Sequence, residues 1–315
     1  RFAVLDSKWI APLITKNEAS IAKQKLGFVF AFSAYFFWGF APLYFASMDG
    51  IGAVEIVIHR TLWSSLSLGV WLTMTGQWHR VWSVFARRRS VLAVVLCGPL
   101  IAVNWTIFVW AIEVDRLADA SLGYFLNPLM FIVGGVLVFA ERLTQVQMAA
   151  LIIAFAAVSY LTITTGELVW IAPIVATTFT SYAFIRKWAK VPPVAGLFAE
   201  TVVLLPVALV FLVLGIDFDG IGAEWVFGHT VADSVKLAGV GIVTVIPLIW
   251  FNAATQRLEY KYVGFLQFIS PSIMFFLAIW ILNEPLETAK LHTFIAIWIA
   301  LALLVVEQLK RQSTT

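Results

Sequence analysis

Apolar residues run through this chain in blocks of about twenty, broken by short polar clusters, and the blocks show no two-residue alternation. A bilayer core of about 30 Å takes roughly 20 residues of helix to cross. The runs at 26–46, 54–75, 91–112, 120–140, 146–165, 168–185, 194–214, 237–256, 262–282 and 291–307 predict ten transmembrane helices. A membrane β-barrel would need alternating segments about half as long. Most connections are short; the longest are 76–90 and 215–236. The predicted fold class is all-α and polytopic.

Composition agrees with the pattern. Of 315 residues, 61% are hydrophobic and 12% charged, with a mean hydropathy of +0.92. A soluble domain carries about 25% charged residues, so lipid has to be the solvent here. The net charge of +3 and pI near 9.0 would suit nucleic acid in a soluble chain, but the placement of the charges points elsewhere. Seventeen of the 21 Lys and Arg fall in the two tails and the even-numbered loops. Arg116, Lys236 and Lys290 lie on the opposite side, and Arg60 lies within a span. That asymmetry predicts cytoplasmic termini, with lipid rather than nucleic acid as the large partner. Residues 1–25 lack a compact apolar stretch ending in a cleavage site and read as a cytoplasmic tail with one short interfacial helix. Residues 309–315 form the second tail. Cys97 is the one cysteine, so no intrachain disulfide is available.

The two halves resemble each other. Pro128 and Glu141 are spaced like Pro271 and Glu284, at a shift of 143, and Ala111 and Ala254 fit the same shift. Trp38-Gly39-Phe40 precedes Tyr182-Ala183-Phe184 by 144. The predicted units are 26–166 and 167–308, five spans each. An odd number of spans inverts the second unit, an arrangement that suits alternating access around a midplane site. The alternative is a duplicated scaffold that serves as a channel or receptor.

Ionisable side chains within spans are costly unless they face protein or water. Span 2 carries Glu55, His59 and Arg60, and span 7 carries Glu200. Glu55 is near the outer end, within reach of the headgroups. Arg60 and His59 lie roughly 8–9 Å in from the outer end, and Glu200 about 9 Å in from the inner end. A direct Arg60–Glu200 ion pair is therefore not expected. Glu200 is a candidate for proton or cation binding, and Arg60 for contact with an anion or carboxylate; each could instead satisfy a neighbouring span. His59 reads as a packing residue whose ordinary pKa would also suit a proton relay.

Spans 4 and 9 hold a second constellation. Ser121, Tyr124 and Pro128 share a helical face with Asn127 beside them, and the shift of 143 carries this set to Gly264, Gln267, Ser270 and Pro271. Seven of the 11 prolines fall within spans, which fits helices that bend between two states or ordinary kinks. Asn104, with Asn252 and Gln256, offers amides to a cavity or to interhelical hydrogen bonds. Trp38, Trp105 and Tyr182 lie deep enough to line it. No phosphate loop, HExxH, GxSxG or Cys/His metal spacing occurs, so neither ATP hydrolysis nor a cofactor or metal is expected.

These segments resemble the drug/metabolite transporter superfamily, in its EamA family and RarD-like branch. The resemblance covers about 26 to 308 and rests on Ser33 to Pro42, His59 to Ser64, Asn104-Trp105, Ala120 to Pro128, Ala140-Glu141-Arg142 and Gly264 to Phe268. Ser121-Leu122-Gly123-Tyr124-Phe125, followed by Asn127-Pro128, is the most specific stretch. Asp119 departs from the pattern, standing where Glu is expected. The resemblance implies ten helices in two repeats and a permease for small metabolites or drug-like compounds such as chloramphenicol. The site residues would come from Trp38, Arg60, Asn104, Tyr124, Asn127, Tyr182, Glu200, Asn252 and Gln267, with Glu200 and His59 the candidates for proton coupling. A passive channel or an intramembrane enzyme acting on lipid are the competing classes. One chain holds both halves, so a monomer suffices.

Overall fold

The computed structural model describes residues 7–139, 142–166, 170–217, 220–221, 224–255, 257–258 and 266–313. Its helices are α1 (Ser7–Ala46), α2 (Ala53–Thr75), α3 (Trp78–Phe85), α4 (Arg88–Glu113), α5 (Leu117–Phe139), α6 (Gln145–Thr165), α7 (Ile171–Ala189), α8 (Pro193–Leu214), α9 (Val231–Thr255), α10 (Ile269–Trp280) and α11 (Thr288–Ser313). Strands β1 (Ile216–Asp217) and β2 (Gly220–Ile221) pair antiparallel after α8. Every predicted run has a helix over most of its length. Among the described residues, seven helices are long and apolar enough to cross a membrane: α1, α4, α5, α6, α8, α9 and α11. The chain is an all-α polytopic membrane protein.

Three local readings change. The N-terminal tail is predicted to hold a short separate helix, but α1 is continuous from Ser7. From Leu13 to Leu26 the segment has neither glycine nor proline to break a helix already nucleated by the span, and Pro12 stands in the second turn of α1. The predicted loop 76–90 contains α3, which turns Val81 and Val84 inward and leaves Trp82 exposed among flanking arginines, as an interfacial helix does. Pro173 and Pro271 lie in the first turns of α7 and α10, where a missing N–H costs nothing, so they are not mid-span kinks. Pro99, Pro128, Pro206 and Pro247 are inside helices.

The helix ends have sequence causes. Thr144 and Gln147 form a capping box at the start of α6, each side chain bonded to the other residue's backbone N–H. Gly215 closes α8 at φ 59°, in the left-handed region that a residue with a Cβ resists.

Packing is mostly between the first five long helices and the last five. α1 rests on α9 and α10, α2 on α8 and α9, α4 on α7 and α8, α5 on α7 and α10, and α6 on α11. Small residues allow the close approaches: a Cβ on Gly123 of α5 would fall 2.8 Å from the Ala172 carbonyl of α7. Large apolar side chains such as Met74, Phe155, Ile163 and Val213 stay exposed on the outer surface, where lipid would cover them.

Several helix ends are tied by buried carboxylates. Glu284, between α10 and α11, accepts the Leu117 and Ala118 N–H groups at 2.6 and 3.0 Å, at the positive end of α5. Asp119 pairs with Arg116 at 2.7 Å and with Lys290 at 3.0 Å. Glu55 does not reach for headgroups. It is buried, and its oxygens accept the Val226 and Phe227 N–H groups at 3.0 and 2.8 Å. Those donors lie outside any regular ladder, so the carboxylate supplies the bonds they would otherwise lack.

Candidate functional site

The turn 190–192 joins α7 to α8, and Glu200 of α8 meets Tyr182 and Arg186 of α7, a pair spaced i, i+4. Glu200 is 1% exposed. Arg186 Nη1 lies 3.4 Å from Glu200 Oε1 and donates to the Tyr182 hydroxyl at 2.6 Å. That hydroxyl donates to Glu200 Oε2 at 3.3 Å. Arg186 Nη2 donates to the Pro192 and Pro193 carbonyls at 3.2 and 2.9 Å. The guanidinium thus binds one carboxylate and the first turn of the next helix together. Gly196 leaves room for it: a Cβ there would lie 2.6 Å from Arg186 Nη2. The Cys97 thiol of α4 contacts the Tyr182 carbonyl at 3.7 Å.

Arg60 of α2 approaches the same cluster from the other side. It is 3% exposed, and its guanidinium carbon lies 4.5 Å from the centre of the Trp105 ring of α4. Its Nε is buried without a hydrogen-bond partner, and no ion pair among the described residues includes it. Trp105 leads through Phe108 to Tyr124 at centroid distances of 5.7 and 5.8 Å, and Tyr124 leads through Phe179 to Tyr182 at 6.1 and 6.4 Å. Arg60 thus reaches this cluster through aromatic rings, while the direct contact of Glu200 is with Arg186.

Asn104 joins three helices below this cluster. Its Nδ2 donates to the Val175 carbonyl and to Thr178 Oγ1, both at 2.9 Å, and its Oδ1 accepts from the Tyr124 hydroxyl at 3.3 Å. An amide that satisfies α4, α5 and α7 at once fixes their relative register. Asn127, one turn along α5 from Tyr124, is fully buried, and neither its amide nitrogen nor its oxygen has a hydrogen-bond partner. Ser121 donates to the Pro271 carbonyl at 2.7 Å, linking α5 to α10.

The remaining candidates lie apart. Trp38 packs with Tyr35 and Phe251 in an aromatic cluster between α1 and α9, at centroid distances of 5.7 Å to each. His59 accepts from Trp63 Nε1 at 3.2 Å through Nδ1 and stacks on Phe227 at 4.4 Å. That bond fixes the neutral tautomer with its proton on Nε2. Gln267 is half-buried in the turn ahead of α10. Asn252 lies in α9, but its side chain, with Gln256, Glu141 and Gly264, is outside the described residues. A groove of about 520 Å³ between α2 and α8, lined by Leu66, Val70, Met74, Phe198 and Leu205 among others, is apolar and open, a lipid-facing surface rather than a chemical site.

Sequence reasoning missed Arg186 and Thr178. Arg186 reads as one more basic residue of a cytoplasmic cluster with Lys187 and Lys190. Its spacing of four from Tyr182 was the available signal, since that places both on one face.

Similarity to known proteins fits this arrangement. The profile of the EamA-like transporter family matches residues 25–163. An uncharacterized transporter of Pseudomonas aeruginosa is 39% identical over 89% of this chain and 93% of its own length. Protein RarD of Escherichia coli is 35% identical over 93% and 99%. The chain belongs to the EamA family, among its RarD-like permeases. It is thus a membrane transporter of the drug/metabolite transporter superfamily. A chloramphenicol-sensitive protein RarD of Pseudomonas aeruginosa is 27% identical over 83% of the chain and 87% of its own length. One solved crystal structure, at 18% identity and a TM-score of 0.56, covers 90% of this chain and 96% of its own, and it speaks for the EamA chain's fold alone.

Proposed function

We propose that this permease is a secondary transporter that moves a small metabolite or drug-like compound by alternating access of two inverted five-helix halves. The observation that carries the reading is the cluster of Arg60, Trp105, Tyr124, Tyr182, Arg186 and Glu200, in which Arg60 and Glu200 are buried. It draws α2, α4 and α5 from the first half and α7 and α8 from the second. Ionisable groups held at this depth mark substrate or ion pathways by default.

The packing scheme supports the two-half reading. Exchanging α1, α2, α4, α5 and α6 for α7, α8, α9, α10 and α11 turns each of the helix pairs named above into another of them or into itself. The family profile ends at 163, close to the proposed boundary at 166. In this scheme all ten long helices span, both termini are cytoplasmic, and the membrane is a bacterial inner membrane, the relatives named above being bacterial.

Arg60, Asn104, Tyr124, Tyr182 and Glu200 are the proposed substrate-facing groups, with Asn127 adding an amide donor and acceptor. Glu200 is the carboxylate for proton coupling. Export is the proposed direction. The test is transport in proteoliposomes over a panel of amino acids, amphenicols and small metabolites, with and without a pH gradient. Glu200→Gln is expected to abolish the gradient dependence, and Arg60→Ala to weaken affinity for the cargo. Unchanged rate, affinity and pH dependence in both variants would remove the site assignment.

A further inference from the structure

The charges in the cluster do not balance. Arg186 is matched by Glu200 at 3.4 Å, and it also bonds the Tyr182 hydroxyl and two backbone carbonyls. Arg60 is the surplus cation. The Trp105 ring at 4.5 Å offers it a quadrupole but no counter-charge. Glu55, the one carboxylate of α2, has both oxygens on the Val226 and Phe227 N–H groups at the start of that helix. Asp119 is held by Arg116 and Lys290. His59 faces Trp63 and Phe227. Among the described residues the cluster therefore holds two guanidinium groups and one carboxylate, and an isolated buried charge is expensive unless something pairs with it. A bidentate acceptor suits a guanidinium whose Nε is buried and unpaired.

We infer that the cargo supplies the missing charge: the Arg60 subsite takes a monoanion, a carboxylate on an aromatic or otherwise apolar body that fits between Trp105, Tyr124 and Tyr182. This rests on the transport reading and narrows its substrate class. A cationic cargo would add to the surplus, and a neutral amide would leave it in place. Occupation brings the net charge of the cluster to zero, which lets the loaded protein pass its midplane state at lower cost than the empty one.

The test is thermal unfolding of the purified protein in detergent, with sodium benzoate, benzamide or benzylamine hydrochloride at equal concentration and ionic strength. Benzoate is expected to raise the Tm of the unsubstituted protein, while the amide and the amine leave it unchanged. Arg60→Met removes the surplus charge, so it is expected to match or exceed the unsubstituted Tm and to lose the benzoate shift. Arg60→Lys keeps the charge and a smaller shift. Arg186→Met strands Glu200 and lowers the Tm. The inference falls if benzamide acts as well as benzoate, if the benzoate shift survives Arg60→Met, if benzoate produces no shift, or if Arg60→Met loses as much Tm as Arg186→Met. Counterflow of benzamide without a benzoate shift would remove the anion subsite and leave transport standing. A benzoate shift that depends on Arg60, without counterflow of any solute, would leave the subsite and remove the transport reading.

Discussion

Glu200 and Arg186 share one environment but differ in what their removal leaves behind. Taking away the guanidinium leaves a carboxylate in the membrane interior facing one hydroxyl. Breaking a buried pair in that way costs about 3–5 kcal/mol. Glu200→Gln keeps the shape and leaves Arg186 on the Tyr182 hydroxyl and the Pro192 and Pro193 carbonyls, so its thermal unfolding is expected to shift by less than that of Arg186→Met. Asn104→Leu takes the acceptor from the Tyr124 hydroxyl, while Thr178 keeps its bond to the Ile174 carbonyl; at about 1–3 kcal/mol for a buried polar group left unsatisfied, it is expected to lower the unfolding temperature measurably. At this scale the sequence was informative about which residues are out of place in lipid: Arg60, Glu200 and Asn104 are all buried and polar within spans. It said little about who pairs with whom. Arg186 was read as a loop charge because a basic residue near a helix end satisfies the orientation rule and an ion pair equally well. Depth argued against a direct Arg60–Glu200 contact, and the nearer partner of Glu200 comes from its own helical hairpin.

Helix positions follow from apolar run length, and helix ends from chemistry that a run length cannot carry. α1 reaches back to Ser7, and α3 occupies a predicted loop, because propensity and an amphipathic face extend helix beyond the lipid core. Glu284 was visible only as a repeat marker; its work at the N-terminus of α5 needed the tertiary structure. Glu284→Ala is expected to cost about 1–2 kcal/mol, as for a lost cap at a helix N-terminus, with Glu284→Gln between the two. Gly123→Ala presses a methyl group onto the Ala172 carbonyl of α7. Forcing an extra carbon into such a contact costs about 1–3 kcal/mol, so the variant is expected to unfold earlier, and Asn104, bonded to both helices, should lose its register with them.

For the whole molecule, the pattern of paired helices could not be read from the chain, because all the spans are similarly apolar and lipid supplies no sequence signal for which faces meet. Shape complementarity, through small residues such as Gly39 against Ile273 and Gly241 against Trp63, makes that choice. The distribution of Lys and Arg does carry orientation. In a Cys97→Ser background, Ser47→Cys is expected to react with an impermeant maleimide on intact cells, and Ser313→Cys only after lysis. The reverse pattern would invert the topology and exchange the inner and outer ends of the cluster. The central claim is a carrier whose one site opens alternately to each side, and counterflow tests it most directly. Proteoliposomes loaded with an unlabelled monocarboxylate and diluted into a trace of the labelled compound are expected to show a transient overshoot, lost in Arg60→Ala. Smooth equilibration without overshoot, the same in both proteins, would contradict the account and point to a channel.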